Sequence, residues 1–299
     1  MNEMIIFQNN NIIKQKKHKI IHKKFTHDYL SKSYTPYKNN KHTLQSITKS
    51  IVSLLYGIAI ENNHINIKIL DEKIYKYFDN FGTLSKKIEI KHLLSMTSGI
   101  EWKMDEDYDS DKNATYQMEH SNNWIEFIMK QKMKYNPGTH FQYKDCDSVL
   151  LGYIFYKLTN KNIDEYANKY LSKKLNISYY WNYAPDNYPD AEGGLYMDSK
   201  SLLKLGRLIL NNGKYKDEQI INKKYFDLMI QNQIPKKQKS FFNYGYQWWL
   251  YNDMIFAWGW HGQYLVIIPN KNIVGIMFQW NNKREMEPCR FMDELDSIR

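Results

Sequence analysis

Ser46-Ile47-Thr48-Lys49 opens a strongly apolar stretch of the sequence that continues to residue 60. Apolar side chains recur there at the spacing of one helix face: Ile51, Leu54, Leu55 and Ile58. This periodicity predicts a helix that begins near Ser46 and ends at Asn62-Asn63. Because residues three apart share a helix face, we expect the Lys49 amine to reach the Ser46 hydroxyl.

A serine beside an amine is suited to nucleophilic catalysis. Burial disfavours an ammonium ion, so a buried Lys49 is expected to be neutral enough to accept the Ser46 proton. The first N–H groups of a helix lack partners within it and are able to bind an oxyanion. The same spacing recurs at Ser201-Leu202-Leu203-Lys204, but in an ordinary amphipathic helix. We interpret that second match as chance.

Two further stretches supply partners for this pair. Tyr143 follows the turn residues Asn136-Pro137-Gly138 and precedes a predicted helix at Asp147, where it would serve as a second proton carrier. The stretch Gly259 to Gln263 contains two glycines, which let a strand edge approach a ligand closely. In this order the three stretches form a candidate active site.

Strand patterns occupy both ends of the chain. Met4 to Gln8 and Ile12 to Gln15 flank Asn9-Asn10-Asn11, which predicts a hairpin. Four later stretches are rich in β-branched and aromatic residues and are predicted strands: Tyr244 to Tyr251, Met254 to Trp260, Tyr264 to Ile268 and Ile273 to Trp280. We therefore expect an α+β fold in which both ends of the chain build one antiparallel sheet.

Helical patterns dominate the middle of the chain. The predicted helices are Ile90 to Met96, Asn123 to Lys132, Asp147 to Leu158, Ile163 to Leu175, Ser199 to Leu210 and Lys223 to Ile230. Since no long linker or repeat is visible, residues 1–299 are predicted to form a single domain. Its sheet lobe would comprise about residues 1–45 and 195–299, and its helical lobe about residues 46–194.

Composition narrows the classes of function. The 299 residues carry a net charge of +10, but the lysines are spread along the chain, and the densest cluster, Lys14 to Lys24, is interpreted as a solvated surface. No apolar run is long enough to cross a bilayer, and the N-terminus does not resemble a signal peptide. We expect a soluble, cytoplasmic protein with no nucleic-acid or membrane partner. Cys146 and Cys289 are expected to be free thiols.

Two patterns superficially resemble metal-ligand sets: the histidines His18, His22 and His27, and the aspartates Asp105, Asp107, Asp109 and Asp111. The first set falls in a lysine-rich, strand-like segment. The second set lacks the turn glycine and the bidentate glutamate of a calcium loop. We interpret both as surface, and expect neither a metal nor a cofactor.

Six collinear stretches carry a resemblance to a known family: Leu44 to Ser50, Ile90 to Trp102, Asn136 to Gly152, Glu192 to Met197, Tyr244 to Trp249 and Gly259 to Gln263. Through them the chain resembles the serine β-lactamase and penicillin-binding-protein superfamily, in its class C-related branch. Within that branch it is most similar to the 6-aminohexanoate-dimer hydrolase type. The resemblance implies a sheet built from both termini with a helical lobe, in agreement with the element pattern.

The resemblance also implies roles for individual residues. Ser46 would be the acylated nucleophile and Lys49 its base. Tyr143 would pass a proton to the leaving group and later help to activate the deacylating water. The backbone N–H groups of Ser46 and Gln263 would form the oxyanion hole.

The sequence departs from the family pattern in the strand motif that normally reads K-T-G. Trp260, His261 and Gly262 stand there and are the expected substrate contacts. The lost Lys and Thr would hold the carboxylate of a β-lactam, so we expect β-lactams to be poor substrates.

A second departure is Asp145, which stands where typical lactamases have the Asn of Y-x-N. A carboxylate near Lys49 would keep the lysine protonated. Either Asp145 points away from Lys49, or Tyr143, as a phenolate, carries more of the proton transfer. Asp145 is also a candidate substrate contact.

Other aromatic residues are weaker candidates. Tyr108, in an acidic loop, is a candidate contact to the leaving group, and the alternative is that this loop only contacts solvent. Trp248, Trp249 and Trp258 are interpreted as sheet packing rather than as substrate contacts.

The sequence therefore predicts a serine hydrolase that cleaves a small amide or ester, with a homodimer left open. A D-Ala-D-Ala carboxypeptidase or β-lactamase would share the same machinery. A third alternative is a scaffold or interaction protein that keeps the fold and has little activity.

Overall fold

The computed structural model of the chain describes residues 3–17, 35, 37–104, 110–279 and 288–298. The expectations for His18, His22, His27, Tyr108 and the aspartates Asp105, Asp107 and Asp109 fall outside these residues.

The main sheet has seven antiparallel strands in the order β2-β1-β13-β12-β11-β10-β9. Their bounds are β1 Glu3–Gln8, β2 Asn11–Lys17, β9 Asn243–Tyr244, β10 Trp249–Tyr251, β11 Met254–Gly259, β12 Gln263–Ile268 and β13 Ile273–Phe278. Strand β1 pairs with β13, so both ends of the described chain share one sheet, and the predicted α+β fold is confirmed. Asn9 and Asn10 have φ of 48° and 68°, which closes the predicted hairpin between β1 and β2.

The prediction of one continuous strand from Tyr244 to Tyr251 is wrong. The chain turns back after Tyr244, and β9 and β10 pair with Trp249 opposite Tyr244. At the turn Gln247 has φ of 63°, and its side-chain amide donates to the carbonyls of Leu93 and Leu94. These distant contacts bend a stretch whose composition alone favours a strand.

A second sheet of four strands, in the order β3-β4-β6-β5, was not expected. It comprises β3 Tyr37–Lys38, β4 Lys41–Thr43, β5 Tyr179–Trp181 and β6 Leu195–Met197. The prediction of a single sheet is therefore wrong, because Tyr37–Thr43 and Leu195–Met197 belong to this smaller sheet. A further two-stranded hairpin joins β7 Lys214–Tyr215 to β8 Glu218–Gln219.

Helices fill the middle of the chain and one further helix follows the last strand. Their bounds are α1 Ile47–Glu61, α2 Ile90–Leu94, α3 Ala114–Glu119, α4 Trp124–Met129, α5 Asp145–Thr159, α6 Ile163–Ala167, α7 Lys173–Leu175, α8 Ser199–Leu210, α9 Lys223–Met229 and α10 Pro288–Asp296. The predicted helix Ile163 to Leu175 is interrupted by a π-helical segment, Asn168–Ser172. None of the helices in the described ranges is both long and apolar enough to cross a membrane.

Helix α1 is the centre of the core. Every residue of this helix except Glu61 is buried, although the sequence suggested a single apolar face. A helix that is buried on all sides is enclosed by other elements, here by the main sheet and by α5. The first turn of α1 therefore lies where the sheet meets the helical lobe.

Candidate active site

Ser46 immediately precedes α1, after a tight turn. Gln45 adopts a left-handed backbone with φ of 49°, and the N–H of Leu44 donates to the carbonyl of Leu195 in β6 at 2.8 Å. The Ser46 side chain forms no hydrogen bond that caps the helix. Its hydroxyl is therefore directed to other side chains rather than to the helix backbone.

The Lys49 side chain reaches that hydroxyl. Its Nζ donates to Ser46 Oγ at 2.9 Å, and the side chain is 1% exposed. The same Nζ lies 2.7 Å from the carbonyl oxygen of Glu192, 3.3 Å from its Oε2 and 2.8 Å from Asp145 Oδ1. All four neighbours accept hydrogen bonds, an environment that suits an ammonium ion.

Asp145 does not point away from Lys49, so that alternative is wrong. The residue is 1% exposed, and its second carboxylate oxygen accepts a hydrogen bond from Thr115 Oγ1 at 2.5 Å. Asp145 is thus enclosed behind Lys49 and is not among the residues that line the cavity at Ser46. The structure therefore does not bring Asp145 to the cavity as a substrate contact. Its side chain instead holds the Lys49 ammonium.

The charge of Lys49 follows from these neighbours. Burial alone lowers the pKa of Lys49, but Asp145, Tyr143 and Glu192 outweigh it and hold this pKa well above its usual value. This direction disfavours a neutral lysine and agrees with the sequence argument that a carboxylate near Lys49 would keep it protonated. The raised pKa favours the ammonium form of Lys49 in the free protein.

Tyr143 lies beside the same serine. It lines the same cavity as Ser46, and Lys49 Nζ is 5.5 Å from the centre of its ring. Burial raises the pKa of the Tyr143 hydroxyl, and the Lys49 ammonium opposes this only in part. In the free protein Tyr143 is thus a neutral phenol, so the sequence-based alternative of a phenolate is not favoured in that state.

Glu192 is a site residue that the sequence analysis missed. It is 5% exposed, and burial together with the nearby Asp145 raises its pKa to about 8, although Lys49 opposes the shift. Asp190 accepts hydrogen bonds from the N–H groups of Glu192 and Gly193, which directs the turn toward Lys49. The available signal was an acidic residue among small ones, in Ala191-Glu192-Gly193-Gly194, just before buried strand β6.

A cavity of about 290 Å³ opens at Ser46. The described residues that line it are Ser46, Tyr143, Trp249, Trp258 and Trp260. Trp249 and Trp258 therefore do more than pack the sheet, whereas Trp248 is fully buried, as expected for a packing residue. Ser46 therefore faces an aromatic space.

The end of strand β11 lies close to the turn before Ser46, so the strand expected to supply an oxyanion donor is at the candidate site. A Cβ on Gly259 would lie 2.2 Å from the carbonyl oxygen of Leu44 and 3.0 Å from Gln45 Cβ. Only glycine lets β11 come this close to the turn before Ser46. Gln263 pairs with Gly259 across the two strands, which places it at the same edge.

The turn between β11 and β12 contains the three residues that replace K-T-G. Trp260 lines the cavity, while His261 and Gly262 have φ of 63° and 91° and are not among its lining residues. Of the three expected substrate contacts, the structure thus brings only Trp260 to the cavity. Among the described residues, no group of three or more His, Cys, Asp and Glu side chains is placed to hold a metal ion.

A comparison with protein families matches residues 29–290 to the beta-lactamase model. The chain belongs to the beta-lactamase family. Among curated relatives, Protein flp of Staphylococcus aureus is 26% identical over 140 residues, which is 46% of this chain and 27% of that protein. The chain thus matches only about a quarter of the length of this relative.

Solved structures of this family share the fold. A Bacillus anthracis protein assigned as a 6-aminohexanoate-dimer hydrolase superposes with a TM-score of 0.79 at 18% identity, over 99% of this chain and 77% of that one. EstCE1, described as a hydrolase with promiscuous acyltransferase activity, gives 0.74 at 15% identity, over 97% and 92%. These TM-scores show that the chain shares the fold of both proteins. The sequence identities are too low to indicate which substrate it acts on.

Proposed function

We propose that this protein is a serine hydrolase that cleaves an ester or amide through an acyl-enzyme on Ser46. One observation carries the proposal: Ser46 Oγ lies 2.9 Å from Lys49 Nζ at the edge of a cavity that Tyr143 also lines. The nucleophile, a proton-transfer group and a space for substrate thus coincide.

The charges of the site suggest how the Ser46 proton is removed. Lys49 is already protonated, so it accepts that proton only if it gives one up at the same time. Glu192 Oε2, 3.3 Å from Lys49 Nζ, is the acceptor when it is ionised. Its pKa of about 8 suits this role, because a proton acceptor works best near the ambient pH.

Acylation then proceeds in two steps. Ser46 Oγ bonds to the substrate carbonyl carbon while its proton passes to Lys49 and a Lys49 proton passes to Glu192. The backbone N–H groups of Ser46 and Gln263 bind the oxyanion. When the bond to the leaving group breaks, Tyr143 protonates that group and recovers a proton from Glu192 through Lys49. Water then attacks the acyl group by the same transfers.

Mass spectrometry after brief exposure to p-nitrophenyl acetate tests this function. We expect the protein to gain one acetyl group, located by peptide mapping on the peptide that contains Ser46. Ser201, in the second S-x-x-K match, is the internal control and should remain unmodified. If Ser46 is not acetylated and Ser46→Ala releases p-nitrophenol as fast as the wild type, Ser46 is excluded as the nucleophile and a scaffold role is favoured.

The alternative of a β-lactamase predicts a different substrate preference. The described residues that line the cavity include no lysine or arginine to bind the carboxylate of a β-lactam. We expect kcat/KM for nitrocefin to be at least about 100-fold below that for a short p-nitrophenyl ester, since a lost charged contact costs several kcal/mol. Comparable values for the two substrates would support the β-lactamase alternative instead.

A further inference from the structure

The wall of the cavity at Ser46 is aromatic. Trp249, Trp258 and Trp260 are each partly exposed, and together with Tyr143 they form all of the described lining except Ser46. Tryptophan has a polar N–H but is otherwise a large apolar surface. Part of the apolar surface of these three side chains is exposed in the cavity beside Ser46. A bound apolar group would cover that surface.

Contacts behind these rings hold them in place. Trp249 stacks on Tyr143 with the ring centres 5.3 Å apart and contacts the buried Tyr244 edge-on at 4.7 Å. Trp258 stacks on Tyr264 in the neighbouring strand, with the ring centres 6.3 Å apart. Because Trp249 and Trp258 lie in strands and are fixed in this way, this part of the cavity wall needs little reorganisation to bind a ligand.

The charges around the cavity favour an uncharged occupant. None of the described lining side chains is acidic, and the ring of Tyr143 already faces the Lys49 ammonium at 5.5 Å. A cationic group would therefore find no carboxylate in the described lining to pair with. An anion gains little from Lys49, since Asp145 and Glu192 already surround that ammonium.

We propose that this cavity is a subsite for an uncharged apolar group, a short alkyl chain or a single ring, attached to the ester or amide that Ser46 attacks. The proposal rests on the proposed function. The volume of about 290 Å³ sets the size, because it lies at the lower end of the range of small-molecule pockets, ~300–1,000 Å³. Trp258 and Trp260 determine the specificity.

Two ester series identify which side of the substrate enters the subsite. One varies the acyl group of p-nitrophenyl esters from acetate to octanoate, and the other varies the alcohol of acetate esters over the same lengths. In one series kcat/KM should rise about threefold to fourfold per methylene and level off near six carbons, as expected for burial of apolar surface in a small cavity. Flat profiles in both series would overturn the proposal.

Matched pairs test the charge of the group. On the alcohol side these are the acetates of choline and 3,3-dimethylbutanol, and on the acyl side the p-nitrophenyl esters of 4-(trimethylammonio)butanoate and 5,5-dimethylhexanoate. The members of each pair have nearly the same shape. We expect the neutral ester to be at least tenfold better on the side that binds. An equal or better cationic ester would instead indicate a cation–π site.

Variants separate specificity from general damage. In the ester series that shows the chain-length dependence, Trp258→Ala should lower the ratio of six-carbon to two-carbon kcat/KM by at least about tenfold. Trp258→Phe should retain most of the ratio, and Trp260→Ala gives the same test if Trp258→Ala does not fold. Phe241→Ala, an exposed aromatic outside the cavity, is the matched control and should keep the ratio. An unchanged ratio in both Trp→Ala variants would contradict the proposal.

The two proposals fail in different ways. If Ser46 is acylated equally by all chain lengths, the apolar subsite is excluded and the hydrolase function stands. If no ester acylates Ser46, the proposed function itself is excluded.

Discussion

Lys49→Met is expected to lower kcat/KM for any ester substrate by about 10³–10⁴-fold, the upper part of the 10²–10⁴-fold range for a group that transfers a proton. Methionine fills nearly the same space but supplies no N–H donors, so Ser46 loses its partner at 2.9 Å. The variant also leaves two buried carboxylates, Asp145 and Glu192, without their cation. Removing one partner of a buried ion pair costs about 3–5 kcal/mol of the free energy of unfolding.

Urea unfolding and ester hydrolysis measure these two effects on the same samples. The loss of stability should shrink as the pH falls, because Glu192, whose pKa is raised to about 8 even beside Lys49, becomes protonated and loses its uncompensated negative charge. Lys204→Met is the matched control, since Lys204 occupies the other S-x-x-K match and its ammonium is exposed. If Lys49→Met were as stable and as active as the wild type, the Lys49 ammonium would neither transfer a proton nor compensate the two buried carboxylates.

Glu192→Gln should lower kcat/KM by about 10²–10³-fold, because the amide keeps the shape of the carboxyl group but cannot accept a proton. The wild-type protein should also show a characteristic pH profile. The relay needs the ionised form of Glu192, whose pKa is raised to about 8 by burial and Asp145. The rate should therefore rise about tenfold per pH unit below 8 and level off above it.

Profiles of kcat/KM from pH 6 to 9.5 test this relay, since they report the titration of the free enzyme. In Glu192→Gln the limb near pH 8 should disappear, a change that mere loss of packing would not produce. Glu218→Gln provides the control, because Glu218 is an exposed residue paired with Lys174 on the surface. A wild-type limb that persists unchanged in Glu192→Gln would show that another group accepts the proton.

Sequence patterns predicted those contacts of the site that join residues close together in the chain. Ser46 and Lys49 are three residues apart on one helix, so helical periodicity alone brings them together. The contact between Lys49 and Glu192 joins residues 143 positions apart and depends on how the small sheet closes against α1. Periodicity carries no information on such a contact, so it could not show that Glu192 joins Asp145 in raising the pKa of Lys49.

The same limit applies to the fold. The long strands and the Asn9-Asn10 hairpin were predicted because β-branched residues and turn residues mark them locally. The small sheet was missed because its strands have only two or three residues, too few to show alternation. The break after Tyr244 was missed because the bonds of Gln247 to Leu93 and Leu94 impose it from elsewhere in the chain.

The pairing of Gly259 with Gln263, beside the turn before Ser46, has a consequence for biosynthesis. The ribosome makes the nucleophile 217 residues before Gln263, as 263 minus 46 gives. At about 5–20 residues per second that interval lasts roughly 10–40 s. During this time the nascent chain carries its serine without the strand that would bind the oxyanion. The oxyanion site proposed for Ser46 can therefore form only after β11 and β12 have emerged from the ribosome.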